Sequence, residues 1–215
     1  MSKVRVNCYG ISADGFGAAP GQSLDNPFGE GGMVIMDWFR DTKVFNAMIG
    51  NPAQGSTGFE NDLAAASMEG VGAWIMGRNM FGPVRGPWPD FEWKGWWGPN
   101  PPYHVPIFVL THYARPPLEM EGGNIFHFVT GGIHEALERA KEAAGDKDIR
   151  IGGGAATIRQ YLEAGLIDDL HLAIAPVLLG AGESPINDLN LAALGYTVAE
   201  HKQGEKAMHL FIHKT

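Results

Sequence analysis

A short apolar run that passes straight into three glycines and then into a helical pattern constrains this chain more than any other segment. It reads Asp148-Ile149-Arg150-Ile151-Gly152-Gly153-Gly154-Ala155-Ala156-Thr157. Isoleucines suit a buried strand, glycines let the backbone turn, and the helical stretch that follows is stopped by Gly165. The first N–H groups of a helix have no partner within it, and the helix dipole is positive there. Such a turn suits a phosphate or pyrophosphate, with glycine allowing close approach and Thr157 offering a hydroxyl. The spacing is G-x-G-x-x-T, not the full dinucleotide fingerprint, and Asp168 and Asp169 precede the next strand instead of following it. On spacing alone, a turn that serves only tight strand–helix packing is an equal reading.

The rest of the chain repeats the strand-then-helix theme. Val4 to Tyr9 reads as a first strand, broken by Gly10. From Ile11 to about Gly58 the composition is that of a long loop, with a short helix around Trp38 to Val44. Phe59 to Glu69 has helix formers, with Asn61 or Asp62 near its start. Gly72 to Met76 reads as a buried strand, and Gly77 to Gly82 as a turn and short helix. Pro83 to Pro106 is a second long loop. Ile107 to Leu110 and Asn124 to Val129 are further strands. A helix opens at Gly131-Gly132, with Ile133, Ala136, Leu137, Ala140 and Ala144 at helical spacing. Asp148 to Ile151 and Asp169 to Ala175 are strands, separated by a helix from Ala155 to Ala164. Tyr196 to His201 and Ala207 to His213 close the chain as an antiparallel pair.

Alternating strands and helices with a β-rich end predict an α/β fold with a largely parallel sheet and an antiparallel edge. At 215 residues the expectation is one domain with loop inserts at about 20–58 and 83–105. Ligands of such sheets bind outside the carboxyl ends of the strands. The turns at Gly77, Thr111 and Gly152 all follow strands, so they gather on that edge.

Charge and cysteine usage exclude several classes. With 16 basic and 24 acidic residues the formal charge is -8, which argues against nucleic-acid or anionic-membrane partners. The single cysteine, Cys8, excludes a disulfide scaffold and the usual cysteine zinc sites, and fits a reducing, cytoplasmic setting. No apolar stretch is long enough to cross a bilayer. His209 and His213 lie four apart in a strand-like stretch without an obvious third ligand, so no metal is expected.

Several side chains carry chemistry, each beside a plainer reading. Arg78, between Gly77 and Asn79, offers a fork for a phosphate; alone, a surface ion pair is the commoner role. Thr111-His112 offers an imidazole for a purine, against a solvated loop histidine. Asp14-Gly15, after Ser12, offers a carboxylate to orient a ligand, against a simple turn. Glu60 and Asp62 fit helix-start charges better than an acid for a heterocycle. Trp88, Trp93, Trp96 and Trp97 need somewhere to bury, and packing on the chain's own surface or a subunit interface is preferred to a lid.

Together these motifs resemble a known family. Gly72-Ala73-Trp74-Ile75-Met76-Gly77-Arg78-Asn79-Met80-Phe81 is similar to the strand and GR turn of the dihydrofolate reductase superfamily. Pro106 to His112 resembles its next strand. Arg150 to Ala155, then Gln160-Tyr161-Leu162, Gly165 to Leu170 and Ala175-Pro176-Val177-Leu178-Leu179-Gly180-Ala181-Gly182, look like the riboflavin-biosynthesis branch, that of the RibD C-terminal domain. Ser12-Ala13-Asp14-Gly15 is similar to that branch's S-x-D-G opening.

The resemblance implies a three-layer fold with a mixed, mostly parallel sheet of about eight strands and helices on both faces. It implies an NADPH-dependent reductase acting on a small heterocyclic or carbonyl/imine substrate, often as a homodimer. Ser12, Gly77, Arg78, Asn79, Thr111, His112, Gly152, Gly153, Gly154, Ala155, Ala156 and Thr157 would meet the cofactor. Asp14 would orient substrate as the catalytic candidate, with Gly15, Gly180, Gly182 and Glu183 near it. The chain departs from the family core in its 20–58 segment, in the longer tryptophan loop, and at Ser184-Pro185-Ile186. It also lacks the W-x-L-P-x-D/E segment of folate reductases. The alternative from another class is a nucleotide- or ligand-binding protein of the same fold without turnover.

Overall fold

The computed structural model describes residues 2–215. Its strands are β1 (Val4–Ser12), β2 (Val71–Gly77), β3 (Pro106–Leu110), β4 (Leu118–Glu119), β5 (Ile125–Val129), β6 (Asp148–Gly153), β7 (Asp169–Ala175), β8 (Tyr196–Gln203) and β9 (Met208–Lys214). Its helices are α1 (Asp37–Arg40), α2 (Lys43–Met48), α3 (Phe59–Ala66), α4 (Arg78–Phe81), α5 (Gly132–Ala144) and α6 (Ala155–Glu163). The strands form one sheet of nine in the order β4-β5-β3-β2-β6-β1-β7-β9-β8. The six from β5 to β7 are parallel, while β4, β9 and β8 each pair antiparallel.

The sheet thus has one strand more than the eight expected. The addition is β4, whose Leu118 pairs with Phe126 of β5. Two residues are too few to show a period of two, so no sequence pattern marks it.

Helices α5 and α6 cover one face. Ala136, Leu137 and Ala140 of α5 and Ile158, Tyr161 and Leu162 of α6 pack on Val6, Ile75, Ile149, Ile151 and Leu170. The opposite face carries Trp74, Met76, Ile107, Val109 and Phe126 under Phe81 of α4 and the tryptophan loop. Further along that face, Cys8 and Ala173 lie under Trp38 of α1 and Leu63 of α3. The result is the expected three-layer arrangement. Strand β2 is buried along its whole length, which is why it reads as a continuous apolar run rather than an alternation.

Strand β1 does not end at Gly10. It continues to Ser12, with Gly10 paired to Ala173 of β7. The glycine is there for space: a Cβ on it would stand 3.0 Å from the Ile35 carbonyl oxygen. An extra residue is accommodated in β1 between Val6 and Tyr9, where the register against β7 shifts. Val4 and Val6 face α6 before this bulge, and Tyr9 and Ile11 face it afterwards. Cys8, at the bulge with a φ of 58°, turns to the other face.

The 11–58 stretch is more structured than its composition suggests. A 3-10 turn spans Gly32–Met36, and the single short helix expected around 38–44 is two, α1 and α2. They part at Thr42, whose hydroxyl accepts a hydrogen bond from Phe45 N at 3.1 Å and caps α2. Trp38, 1% exposed, is the anchor that holds this stretch to the sheet. Asn61 lies in the first turn of α3, which follows Gly58, and its side-chain oxygen accepts from Val44 N of α2 at 3.0 Å. No helix among the described residues is long and apolar enough to cross a membrane.

Candidate cofactor and substrate site

The parallel strands all point their carboxyl ends to one edge, and the loops that leave β1, β2, β3, β6 and β7 meet there. At the end of β6, Gly152 and Gly153 pass to Gly154, the residue that precedes α6. The Thr157 and Ile158 N–H groups both turn back to Gly154 O, at 3.0 and 3.1 Å. The two N–H groups before them, on Ala155 and Ala156, are the orphan donors of a helix start. A Cβ on Gly154 would meet nothing within 4 Å, so the approach to them is open. Thr157 is buried and its hydroxyl faces β2: a Cβ on Gly77 would stand 2.3 Å from it. Glycine at 77 therefore lets β2 and α6 close up.

Arg78 opens α4. Its Nη1 donates to the Gly86 carbonyl, and its guanidinium lies 3.7 Å over the Trp88 ring. Its Nε and Nη2 are buried with no partner. Arg115, in the loop after β3, approaches the same indole at 5.0 Å. One of its Nη atoms donates to Phe91 O and Trp93 O, while Nη1 is buried and unpartnered. Burial lowers the pKa of both arginines; Tyr113 acts against this at Arg78, and at Arg115 the Asp90 carboxylate acts against it while the Arg78 charge adds to it. Two cations set around one aromatic ring, with three unused donors, are an arrangement that an anion relieves. Arg115 carries no motif, and only the folding of its loop onto Trp88 reveals it. Thr111 is buried and closes a turn on Tyr113, whose N–H it accepts at 3.2 Å; His112 beside it is exposed. Asn79 is half-buried next to Arg78.

The tryptophan loop packs on its own chain. Each of the four indole N–H groups has a partner: Trp88 to Tyr113 O, Trp93 to Phe81 O, Trp96 to Met80 O and Trp97 to Tyr103 Oη, at 2.7–3.0 Å. These bonds fasten it over β2 and β3 beside Arg78.

The other half of the edge is built from the loops after β1 and β7. Asp14 is the pin between them. Its carboxylate accepts from Ser12 Oγ at 2.5 Å, Leu179 N at 3.1 Å and Gly180 N at 2.7 Å. The Ser12 bond first, then the two backbone N–H groups, hold the Asp14 pKa below the usual carboxylate range. Ser12 is fully buried, and its hydroxyl also accepts from Phe16 N at 3.0 Å, closing the Gly15 turn. Glu183 pairs with Ala18 as a single β-bridge, and its Oε1 lies 3.0 Å from Arg85. Tyr9, which no motif marks, stands between the two halves. A Cβ on Gly17 would meet its hydroxyl, and one on Gly153 its ring, at 2.4 and 3.1 Å. Burial, then the Glu183 charge, raise its pKa, so the hydroxyl keeps its proton.

Three polar residues weighed in the sequence lie away from this edge. Glu60 sits in the first turn of α3, yet its carboxylate leaves the helix. It accepts from Lys206 N at 3.1 Å, Ala207 N at 3.0 Å and His209 Nε2 at 3.4 Å, clasping the turn between β8 and β9. His209 and His213 do not converge. His209 is wholly buried beside His171 at 3.0 Å, and His213 pairs with Asp169 at the surface.

The fold and edge define an open α/β protein of the kind whose ligands sit at the carboxyl ends of parallel strands. The chain belongs to the RibD C-terminal domain family, whose profile matches residues 3–210. A riboflavin biosynthesis protein of Shewanella sp. PV-4, so assigned provisionally, shares 23% identity at a TM-score of 0.60, covering 100% of this chain and 99% of that one. RibD of Acinetobacter baumannii has a TM-score of 0.53 at 16% identity; the alignment covers 100% of this chain and 58% of that protein. The uncharacterized protein YyaP of Bacillus subtilis (strain 168) is 39% identical over 88 residues, 39% of this chain and 46% of that one. These structural likenesses establish the fold; the family is one associated with NADPH-dependent reductases.

Proposed function

We propose that this protein is an NADPH-dependent reductase of a small heterocyclic or carbonyl/imine substrate. The observation that carries the reading is the set of unused donors at one edge. Arg78 Nε and Nη2 and Arg115 Nη1 are buried without acceptors, and the open start of α6 lies on the same edge. The donors fit a dinucleotide with an additional phosphate. Gly152 to Thr157 would hold the pyrophosphate, while Gly77, Arg78, Asn79, Thr111 and His112 would meet the adenosine end. Arg115 joins them as a second cation. When bound, the reduced nicotinamide supplies a hydride.

The protein's own part is to bind, orient and exclude water. Asp14 acts as a positioning residue: ionised and with both oxygens engaged, it holds the Gly180 loop against Ser12 and Gly15. Tyr9 presents a neutral hydroxyl at the junction between the cofactor edge and the loop of Gly182 and Glu183. The oxygen or nitrogen left charged by the hydride takes up one proton, which solvent can supply, so no strong acid–base pair is needed at the edge.

The test is a thermal-shift titration with NADPH and NADH. At a hundred times the dissociation constant, the ligand stabilises by about 2.7 kcal/mol. For a chain of this length that is a rise of roughly 5–10 °C. Arg78→Ala is expected to reduce NADPH affinity about tenfold or more while leaving NADH nearly unchanged, the range for a lost charged hydrogen bond. Equal shifts with both cofactors in the wild type, or none with either, would remove the reading.

A further inference from the structure

Where the loops after β1 and β7 meet, most polar side chains are already committed to the fold. Ser12 Oγ and both oxygens of Asp14 are engaged, and Ser184 Oγ donates to Gly15 O at 2.6 Å. The Tyr9 hydroxyl is different. It has no hydrogen-bond partner among the described residues, and it is not one of their buried polar atoms, although the residue is half-buried. The hydroxyl is therefore both unspent and open to solvent.

Its position is fixed from two sides. The ring lies against Gly153, where a Cβ would stand 3.1 Å from Cε2, and the hydroxyl reaches Gly17, where a Cβ would collide with it. Gly153 belongs to the turn assigned to the pyrophosphate. Gly17 N donates to Glu183 O at 2.8 Å, in the loop after β7. The hydroxyl thus stands where the cofactor turn meets the loops on the substrate side. Burial and the Glu183 charge keep it protonated, so it is a donor for an atom with a free lone pair, such as a carbonyl oxygen.

We propose that the Tyr9 hydroxyl hydrogen-bonds the acceptor atom of the substrate and gives it the proton that accompanies the hydride. The hydride forms the new C–H bond and the carbonyl π pair moves onto oxygen. That oxygen becomes an alkoxide, a stronger base than a phenolate, and takes the Tyr9 proton; water then reprotonates the phenol. The substrate gains two electrons, which the reduced nicotinamide loses, and the net uptake is one proton from solvent. The proposal deepens the reductase reading and rests on it.

The experiment has a spectroscopic arm and a kinetic arm, both on the full chain, with NADPH binding measured separately. The five tyrosines are labelled as meta-fluorotyrosine, and the Tyr9 fluorine signal is the one missing from Tyr9→Phe. Because the hydroxyl has no protein partner, Tyr9→Phe should keep the melting temperature and NADPH affinity of the wild type. NADP⁺ should move the Tyr9 signal, and isatin or camphorquinone added to the NADP⁺-saturated protein should move it again, with no turnover involved. In the kinetic arm the same two carbonyl compounds are reduced by NADPH, and Tyr9→Phe should lower kcat about 100-fold or more. A Tyr9 signal that neither carbonyl compound moves overturns the proposal. So does an unchanged kcat in Tyr9→Phe, or no reduction of either compound by a protein that binds NADPH; in these cases the cofactor edge still stands. Absence of NADPH binding removes the reductase reading, and the proposal with it.

Discussion

A buried chain of hydrogen bonds on the α3 face makes the stability of this protein depend on pH in a calculable way. Cys8 N donates to His171 Nδ1 at 3.2 Å, so that nitrogen is the acceptor and the ring proton sits on Nε2. His171 Nε2 then donates to His209 Nδ1 at 3.0 Å, and His209 Nε2 to Glu60. One tautomer of each ring satisfies every link, and both rings are neutral in it. Burial first, then the charges of His209 and Arg150, pushes the His171 pKa down to about 3. Burial lowers that of His209 as well, against the pull of Glu60.

The unfolded chain binds a proton at His171 near its ordinary pKa of about 6.5, whereas the folded chain does not until about pH 3. The folded pKa is depressed and the group is a base, so stability falls as pH drops from 6.5 towards 3. Below that the loss levels off. Between pH 7.5 and 4.5, His171 alone accounts for about 2–3 kcal/mol. His171→Phe keeps a flat ring for the stack on Phe211, whose centroid is 4.5 Å away. It leaves Cys8 N–H and His209 Nδ1 unpaired, which costs about 2 kcal/mol at pH 7.5. The variant lacks the His171 titration, so the gap to wild type should close by pH 4.5. Urea unfolding at four pH values reads this as midpoints that converge by roughly 1 M. Parallel curves for the two proteins would refute the assignment of a neutral, buried His171.

Other consequences can be measured directly. Gly77→Ala puts a methyl group against Thr157 Oγ1, a short and buried side chain; the strain should cost about 1–3 kcal/mol and weaken NADPH binding, seen by melting temperature and titration. Asp14→Asn keeps the size but replaces one acceptor oxygen with a donor, which then faces either the Gly180 N–H or the Leu179 N–H. Hydrogen exchange should quicken across 176–183 while the core strands stay protected; unchanged exchange there would deny Asp14 its pinning role.

Much of this protein was legible in the sequence by itself. Hydrophobic period and glycine punctuation located β2, β6, β7, α5 and α6, because each buries a long apolar face and ends at a residue that cannot continue it. The strand–turn–helix at Gly152 also placed the N-terminus of α6 at the carboxyl edge of the parallel strands, since the connection follows from local backbone geometry. Gly10 misled because a glycine that makes room for Ile35 looks like one that ends a strand. β4 escaped because two residues carry no period.

What only the tertiary structure decided is how polar side chains are spent. Asp14 and Glu60 read alike as loop or helix-start polar residues. The fold engages both carboxylate oxygens of Asp14 and sends Glu60 to the β8–β9 turn. Arg115 meets Trp88 across 27 positions of chain that no local pattern connects. Backbone conformation answers to near neighbours and is written in short runs. The pairing of charges and hydrogen-bonding groups answers to distance in space, which folding sets.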